Sequence, residues 1–395
     1  MKRYIILLSA MTVAAFAVAQ SPVESILESI AGNNSGIKAV EQEAVAAQTE
    51  LSAGNSLENP TFEFEYLWAE KQVPGGNKYA FAIMQGFDFP SLYAQRNKHI
   101  SAQKNLGSYQ VGYARQSVLL EARELCIKIV YLNKQIAVVS ERADIAQSLA
   151  NLYNQRLAAG DANQLEVNKV EIERLSQSSR LKMLISEREA AITQLVACNG
   201  GVALPVDATT LTQYPNIVMP ATLDYAIEEW QQADAGIKML RGQQQVAESF
   251  TSVSKQGWIP RFEVGYKQAY EVGDMFYGLA VGVSLPLFKT SNEVKTAKAR
   301  ALAMSFQTDE ANAKATAEVT QLYHEATALQ TALDDYQLLS QQNNRALLVK
   351  ALENGQISLL EYMSDIAQLN EAEENRLLLE YQYYSKLSQL NRSNL

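Results

Sequence analysis

NPTFEFEYLWAEKQVPGGNKYAFAIMQGFDFP, residues 59–90, decides the fold. Within TFEFEYLWA, Phe62, Phe64, Tyr66 and Trp68 alternate with Thr61, Glu63, Glu65 and Leu67, a period of two that sends one set to each face of a strand. One face is aromatic and the other largely polar. Pro74, Gly75 and Gly76 supply a turn, after which KYAFAIMQGFDF sets Tyr79, Phe81, Ile83, Phe87 and Phe89 against Ala80, Ala82, Gly86 and Asp88. Strands are expected near residues 60–69 and 78–89.

About 200 residues further on the pattern returns. In IPRFEVGYKQ, Phe262, Val264 and Tyr266 oppose Arg261, Glu263, Gly265 and Lys267; in MFYGLAVGVSLPL, Tyr277, Leu279, Val281, Val283 and Leu285 oppose Gly278, Ala280, Gly282 and Ser284. Pro60, Phe62, Glu63 and Tyr66 match Pro260, Phe262, Glu263 and Tyr266, and Gly86 and Pro90 match Gly282 and Pro286, so the chain reads as two repeats, about 20–198 and 221–395. The second pair of strands is expected near 259–270 and 275–287. Strands with one large apolar face and one polar or small face suit a transmembrane β-barrel. On alternation alone, hairpins of a soluble sandwich fit equally.

The N-terminus reads as a secretory signal over residues 1–19. Lys2 and Arg3 precede an apolar run that ends in Ala17-Val18-Ala19, and Gln20 would begin the mature chain. No Cys stands at that site to carry a lipid. Beyond it no apolar run reaches the roughly 18 residues of a spanning helix, so entry into a membrane would be by strands. Barrels of this kind belong to the Gram-negative outer membrane, with a periplasmic part. Without Lys2 and Arg3 the 34 basic residues fall to 32 against 43 acidic, a net charge of −11 that makes nucleic acid a poor partner. Two cysteines, Cys126 and Cys198, and two isolated histidines, His99 and His324, support neither a disulfide framework nor a metal site, and no cofactor motif is present. There is no phosphate loop, HExxH or GxSxG, so no enzyme is read.

Around the hairpins the pattern is helical. A helix is expected over 23–53 behind Ser21-Pro22, a long one from Pro90 to Ala159, then 164–197, 221–256, 290–354 and 359–389, with a non-helical connector over 199–220. In the first long helix Val111, Val118, Leu125, Leu132 and Val139 recur every seven residues, with Ala122, Ile129, Ile136, Ala143, Ala150 and Leu157 four positions on. That is coiled-coil packing with a seam rich in Ala. Two similar turns, RLAAGDANQLE and ALENGQISLLE, align Leu157, Gly160, Leu165 and Glu166 with Leu352, Gly355, Leu360 and Glu361. Helices of 65 to 70 residues run about 100 Å, and two shorter ones end to end match one long one, which predicts a rod. Four strands cannot close a barrel and open edges are not tolerated in lipid, so several copies must pool strands. Three would give twelve.

The duplicated strand pairs, the long helices, the two turns and the connector make the chain resemble the TolC-like outer-membrane efflux factor family over its mature length. The resemblance implies an α+β membrane protein: a homotrimer with a twelve-stranded barrel continued by a periplasmic barrel of coiled-coil helices. It implies an exit duct whose helix-turn ends, around Leu157, Gly160, Leu352 and Gly355, meet a periplasmic adaptor protein and an inner-membrane pump. In the best-known members, acidic residues six and nine positions after the second turn glycine ring the entrance. Here these positions hold Glu361 and Ser364, with Asp365 adjacent and Glu166 the counterpart of Glu361 in the other repeat, so a second acidic ring does not follow the pattern. Some members are lipid-anchored at an N-terminal Cys, and this sequence departs from those. Export of heavy-metal cations or of a polypeptide stays open within the family. A structural coiled-coil surface protein is the reading from another class.

Overall fold

The structure, a computed structural model, describes residues 21–70, 76–286, 290–340 and 344–395. The expected signal segment, and Pro74 and Gly75 of the first turn, lie outside them. The described chain forms helices α1 (Pro22–Asn33) and α2 (Ser35–Ala53), strands β1 (Thr61–Leu67) and β2 (Lys78–Phe87), and helices α3 (Pro90–Ala159) and α4 (Gln164–Cys198). After a connector with one 3-10 turn at Ala208–Thr210 come α5 (Leu223–Ala233), α6 (Ala235–Lys255), β3 (Arg261–Glu271), β4 (Asp274–Ser284), α7 (Thr290–Ser340), α8 (Asn344–Glu353) and α9 (Leu359–Leu390).

Two expected helices are each broken once. Residues 23–53 divide at Asn34 and residues 221–256 at Asp234, where ψ swings to 121° and 126°. Each side chain then accepts the backbone N–H three residues on, from Ile37 at 3.0 Å and from Ile237 at 3.1 Å, the bond that starts a new helix. Neither break carries a proline, the punctuation a sequence reading relies on. The helix expected over 290–354 is described as α7 and α8, with residues 341–343 outside the described chain.

The chain divides into two compact units. One comprises the chain up to Asn33, Ala122–Asn216 and Leu347–Tyr381, and the other Asn34–Glu121, Ile217–Ala346 and Gln382–Leu395. The first is helical. Val23, Ile26 and Ile30 of α1 are fully buried in it, and α3 buries Ala122, Ile129, Leu132, Val139 and Ala150 of its expected seam.

The second unit holds the sheet, an antiparallel meander in the order β1-β2-β3-β4. Its helical part is centred on Trp230, which is 1% exposed among Ala226, Ile237, Val319, Leu322 and Leu390. The Trp230 indole donates to the Leu390 carbonyl at 2.6 Å, and the Arg392 guanidinium lies 3.9 Å from the ring centroid. Arg392 also pairs with Asp234 at 2.8 Å and Glu318 at 3.0 Å, so the segment after α9 is fastened where α5 gives way to α6.

Candidate functional site: the two sheet faces and the helix-turn tips

Strand register sorts the sheet into two chemically different faces. Across the four strands, Phe62, Ile83, Tyr266 and Leu279 form one row; Phe64, Phe81, Gln268 and Tyr277 the next; Tyr66, Tyr79, Tyr270 and Met275 a third. The rows on the opposite face are Glu63, Ala82, Lys267 and Gly278, and Glu65, Ala80, Ala269 and Phe276. The first face is apolar and aromatic, and it is bare: Phe62 is 66% exposed, Tyr277 75% and Leu279 89%. Ring contacts run along it, Phe62 against Phe81 at 6.2 Å and Tyr79 against Tyr270 at 5.1 Å.

The opposite face is mostly small, polar or charged, with Phe276 and Met84 among the few large apolar residues on it, and two of its glycines have a geometric reason. At Gly265 an added Cβ would collide with the Ile83 carbonyl and the Met84 side chain. At Gly86 it would lie 2.8 Å from the guanidinium of Arg261, which pairs with Glu58 across that glycine. Among the described residues both outer strands, β1 and β4, have a neighbour on one side only. Their free edges present backbone donors and acceptors that a further strand would satisfy.

The two helix-turn tips lie in the first unit and repeat one construction. At the end of α3, Gly160 N–H donates to Leu157 O at 3.1 Å and Asp161 N–H to Arg156 O at 2.8 Å; at the end of α8, Gly355 donates to Leu352 O at 3.1 Å and Gln356 to Ala351 O at 2.8 Å. This is the Schellman pair of bonds, closed by a left-handed residue. Gly160 has φ +79° and Gly355 φ +67°, a region in which only glycine is unstrained.

Three residues past each glycine a new helix is capped. Asn163 accepts from the Glu166 N–H at 3.0 Å while the Glu166 carboxylate accepts from the Asn163 N–H at 2.8 Å; Ser358 and Glu361 exchange the same two bonds at 3.2 and 2.8 Å. The Glu361 carboxylate also accepts from the Ser358 hydroxyl at 2.8 Å. An acid six positions after each turn glycine is thus the reciprocal partner in a capping box. The hydrogen bonds from the Ser358 N–H and hydroxyl hold the Glu361 carboxyl below its ordinary pKa.

Glu361, Ser364 and Asp365 share one exposed face of α9, opposite the packed face of Tyr362 and Ile366. Glu166 is on a different helix, in the first turn of α4. Leu352 is buried with Tyr153, Val167, Val170, Leu359 and Tyr362 in one cluster, and Leu157 packs against it, so the two tips have a common core.

Sequence reasoning missed the polar bonds that tie α9 to α3 and α4. Arg142, whose side chain is 3% exposed, reaches Glu374 at 2.5 Å, Glu373 at 2.8 Å and the Asn370 carbonyl at 3.2 Å. Arg180 reaches Glu374 at 2.7 Å, and Lys134 reaches Glu380 at 2.7 Å. Tyr131 stacks on Tyr381 at 4.8 Å. Arg142 lies beside the seam, next to Ala143, on a heptad stripe that also carries Glu121, Lys128, Gln135 and Arg156, so nothing in the sequence set it apart.

Among the described residues no helix is long and apolar enough to cross a membrane, and no three His, Cys, Asp or Glu side chains gather as a metal site. Neither a protein-family model nor a curated protein matches the sequence. Solved structures do match. The outer-membrane channel OprN superposes with a TM-score of 0.77 at 13% identity, over 94% of this chain and 89% of that one. The Campylobacter jejuni CmeC outer membrane channel gives 0.75 at 11%, over 94% and 85%. The open state of the Neisseria gonorrhoeae MtrE outer membrane channel gives 0.75 at 12%, over 94% and 88%. Four strands, the long helices and coverage of nearly the whole chain give this protein the fold of the TolC-like outer-membrane efflux channels.

Proposed function

We propose that the protein is the outer-membrane exit duct of a tripartite efflux system, conducting passively what an inner-membrane pump delivers through a periplasmic adaptor. The observation that carries this is the sheet: a bare aromatic face, an opposite face of mostly small, polar or charged residues, and two edges unpaired among the described residues. An apolar face belongs against lipid and a charged one against water, and a membrane requires every strand edge to be paired. Three copies close twelve strands. The internal duplication read from the sequence is part of this proposal, as is a signal peptide over residues 1–19 that delivers the chain to the periplasm.

In this reading the turns carrying Leu157, Gly160, Leu352 and Gly355 are the surface offered to the adaptor. Glu361, with Ser364 and Asp365 on the same exposed face of α9, borders the periplasmic entrance, and Glu166 marks the corresponding point of the other turn. Three copies of Glu361 in a narrow passage concentrate cations. The ion pairs of Arg142 and Lys134 fasten α9 to α3 well above the turns, and an opening that swings α9 away from α3 requires them to separate.

The test is purification in mild detergent, a mass measurement of the assembly, and reconstitution into a planar bilayer. A conducting trimer is the expected result. A detergent-independent monomer that never conducts would reject the duct and favour a structural coiled-coil protein. Cross-linking in living cells, followed by identification of the co-purifying adaptor and pump, reads out the class of cargo.

A further inference from the structure

Only two cysteines occur in the chain, and the fold brings them to one level of one helical hairpin. Cys126 lies 33 residues before the end of α3 at Ala159, and Cys198 lies 34 residues after the start of α4 at Gln164. At 1.5 Å per residue both stand about 50 Å from the turn. Cross-contacts fix the pairing of the two helices: Arg174 reaches Gln147 at 3.5 Å, Arg188 reaches Asn133 at 3.5 Å, and Lys128 reaches Glu187 at 2.9 Å.

Both side chains also belong to the facing surfaces. On α4 the buried positions Val170, Gln177, Leu184 and Ala191 recur every seven residues, and Cys198 is the next in that series. On α3, Cys126 is fully buried one heptad before Asn133, which faces Arg188 and donates to the carbonyls of Ala208 and Leu211 just beyond α4. The structure holds the pair as two thiols.

We propose that Cys126 and Cys198 form a redox-convertible pair, which a disulfide-bearing oxidant joins into a staple between the middle of α3 and the last residue of α4. Burial, with the Cys198 thiol close by adding to it, pushes the Cys126 thiol up to about 12. Cys126 is therefore a poor attacker from solution, and half-buried Cys198 is the entry point. The Cys198 thiolate attacks the oxidant's disulfide, forming a mixed disulfide and releasing one thiol. Cys126 then attacks the Cys198 sulfur, forms the protein disulfide and expels the second thiol. Two protein thiols are oxidised and one oxidant disulfide is reduced. The staple closes α4 and the facing half of α3 into one loop.

The inference rests on the export reading only for where the oxidation would occur, and the experiment separates the two. The full chain in detergent is treated with oxidised glutathione, alkylated, digested and analysed by mass spectrometry. The expected product is a linked peptide pair containing Cys126 and Cys198, with a mass loss of about 2 Da and no retained glutathione. Cys126→Ser should stop at a glutathione adduct on Cys198, and Cys198→Ser should leave the folded protein unreacted. A wild-type protein that also stops at the adduct, or that keeps both cysteines alkylatable, would overturn the proposal. A disulfide formed in the tube but absent from growing cells would support the pair and count against export to an oxidising compartment.

Discussion

Asn34 and Asp234, 200 positions apart, occupy the same place in two copies of one local design. Each leaves the helix, accepts the N–H of an isoleucine three residues on, and is followed by a glycine whose Cβ would press on the capping oxygen, at 3.0 Å in Gly36 and 3.1 Å in Gly236. Ile37 and Ile237 are 3% and 5% exposed, so each cap fixes how a buried residue enters its core. Asp234 differs in charge, and its second oxygen receives Arg392.

Replacing Asp234 by Ala is expected to cost more than replacing Asn34. Loss of a cap alone costs roughly 1 kcal/mol, while Asp234→Ala also leaves the part-buried Arg392 without one of its carboxylates, adding on the order of 1–3 kcal/mol. Thermal unfolding of the two variants side by side checks the ranking.

At the turns, Gly160→Ala and Gly355→Ala should each destabilise by about 1 kcal/mol through backbone strain alone, because nothing lies within 4 Å of either added Cβ. Asn should be milder than Ala at both positions. Faster amide exchange confined to Asp161 and Gln356, the second residues of the two Schellman pairs, is the readout.

The Glu361 cap has a defined pH dependence. Its carboxyl is held below the ordinary value by the Ser358 N–H and hydroxyl, so the folded state binds this proton more weakly than the unfolded chain does. The contribution is complete above the unfolded pKa and fades as pH falls through the lower folded one. The protection factor of the Ser358 amide, its exchange measured against the intrinsic rate at each pH, should fall on acidification in the wild type and show no such fall in Glu361→Gln. Ser358→Ala keeps the charge but loses the hydroxyl, so it should leave channel selectivity unchanged, whereas Glu361→Lys should shift selectivity toward anions.

Arg142→Met removes a buried cation from two acids and should separate two effects. Leaving Glu373 and Glu374 less compensated is expected to destabilise by roughly 3 kcal/mol. If the α9 ion pairs resist an opening that swings α9 away from α3, single-channel recordings of the same variant should show higher conductance at unchanged trimer mass. Arg142→Lys should fall between, since one ammonium cannot serve both carboxylates and the Asn370 carbonyl in the planar geometry of the guanidinium.

Much of this architecture was legible because the period of the apolar residues changes from two to seven at Pro90, and because Gly160 and Gly355 are needed where the backbone turns left-handed. The breaks at Asn34 and Asp234 were not legible, since a cap inside an otherwise helical pattern looks like any polar surface residue. Glu166 and Glu361 were singled out through the resemblance, by their spacing from a turn glycine, and their capping hydrogen bonds give that spacing a local cause that neither resemblance nor periodicity carries. The Arg142 network escaped because ion pairs between residues about 230 positions apart depend on which helix faces which, and only folding decides that.

The unpaired edges of β1 and β4 make a solitary chain a fragment of a surface. A lone copy that reached the bilayer would offer bare amides and carbonyls to hydrocarbon, a cost that vanishes only when the ring of strands is complete. Under the duct reading the lipid itself acts as an inspector of stoichiometry: it admits closed assemblies and turns away incomplete ones, and no separate signal is needed to tell one copy from three.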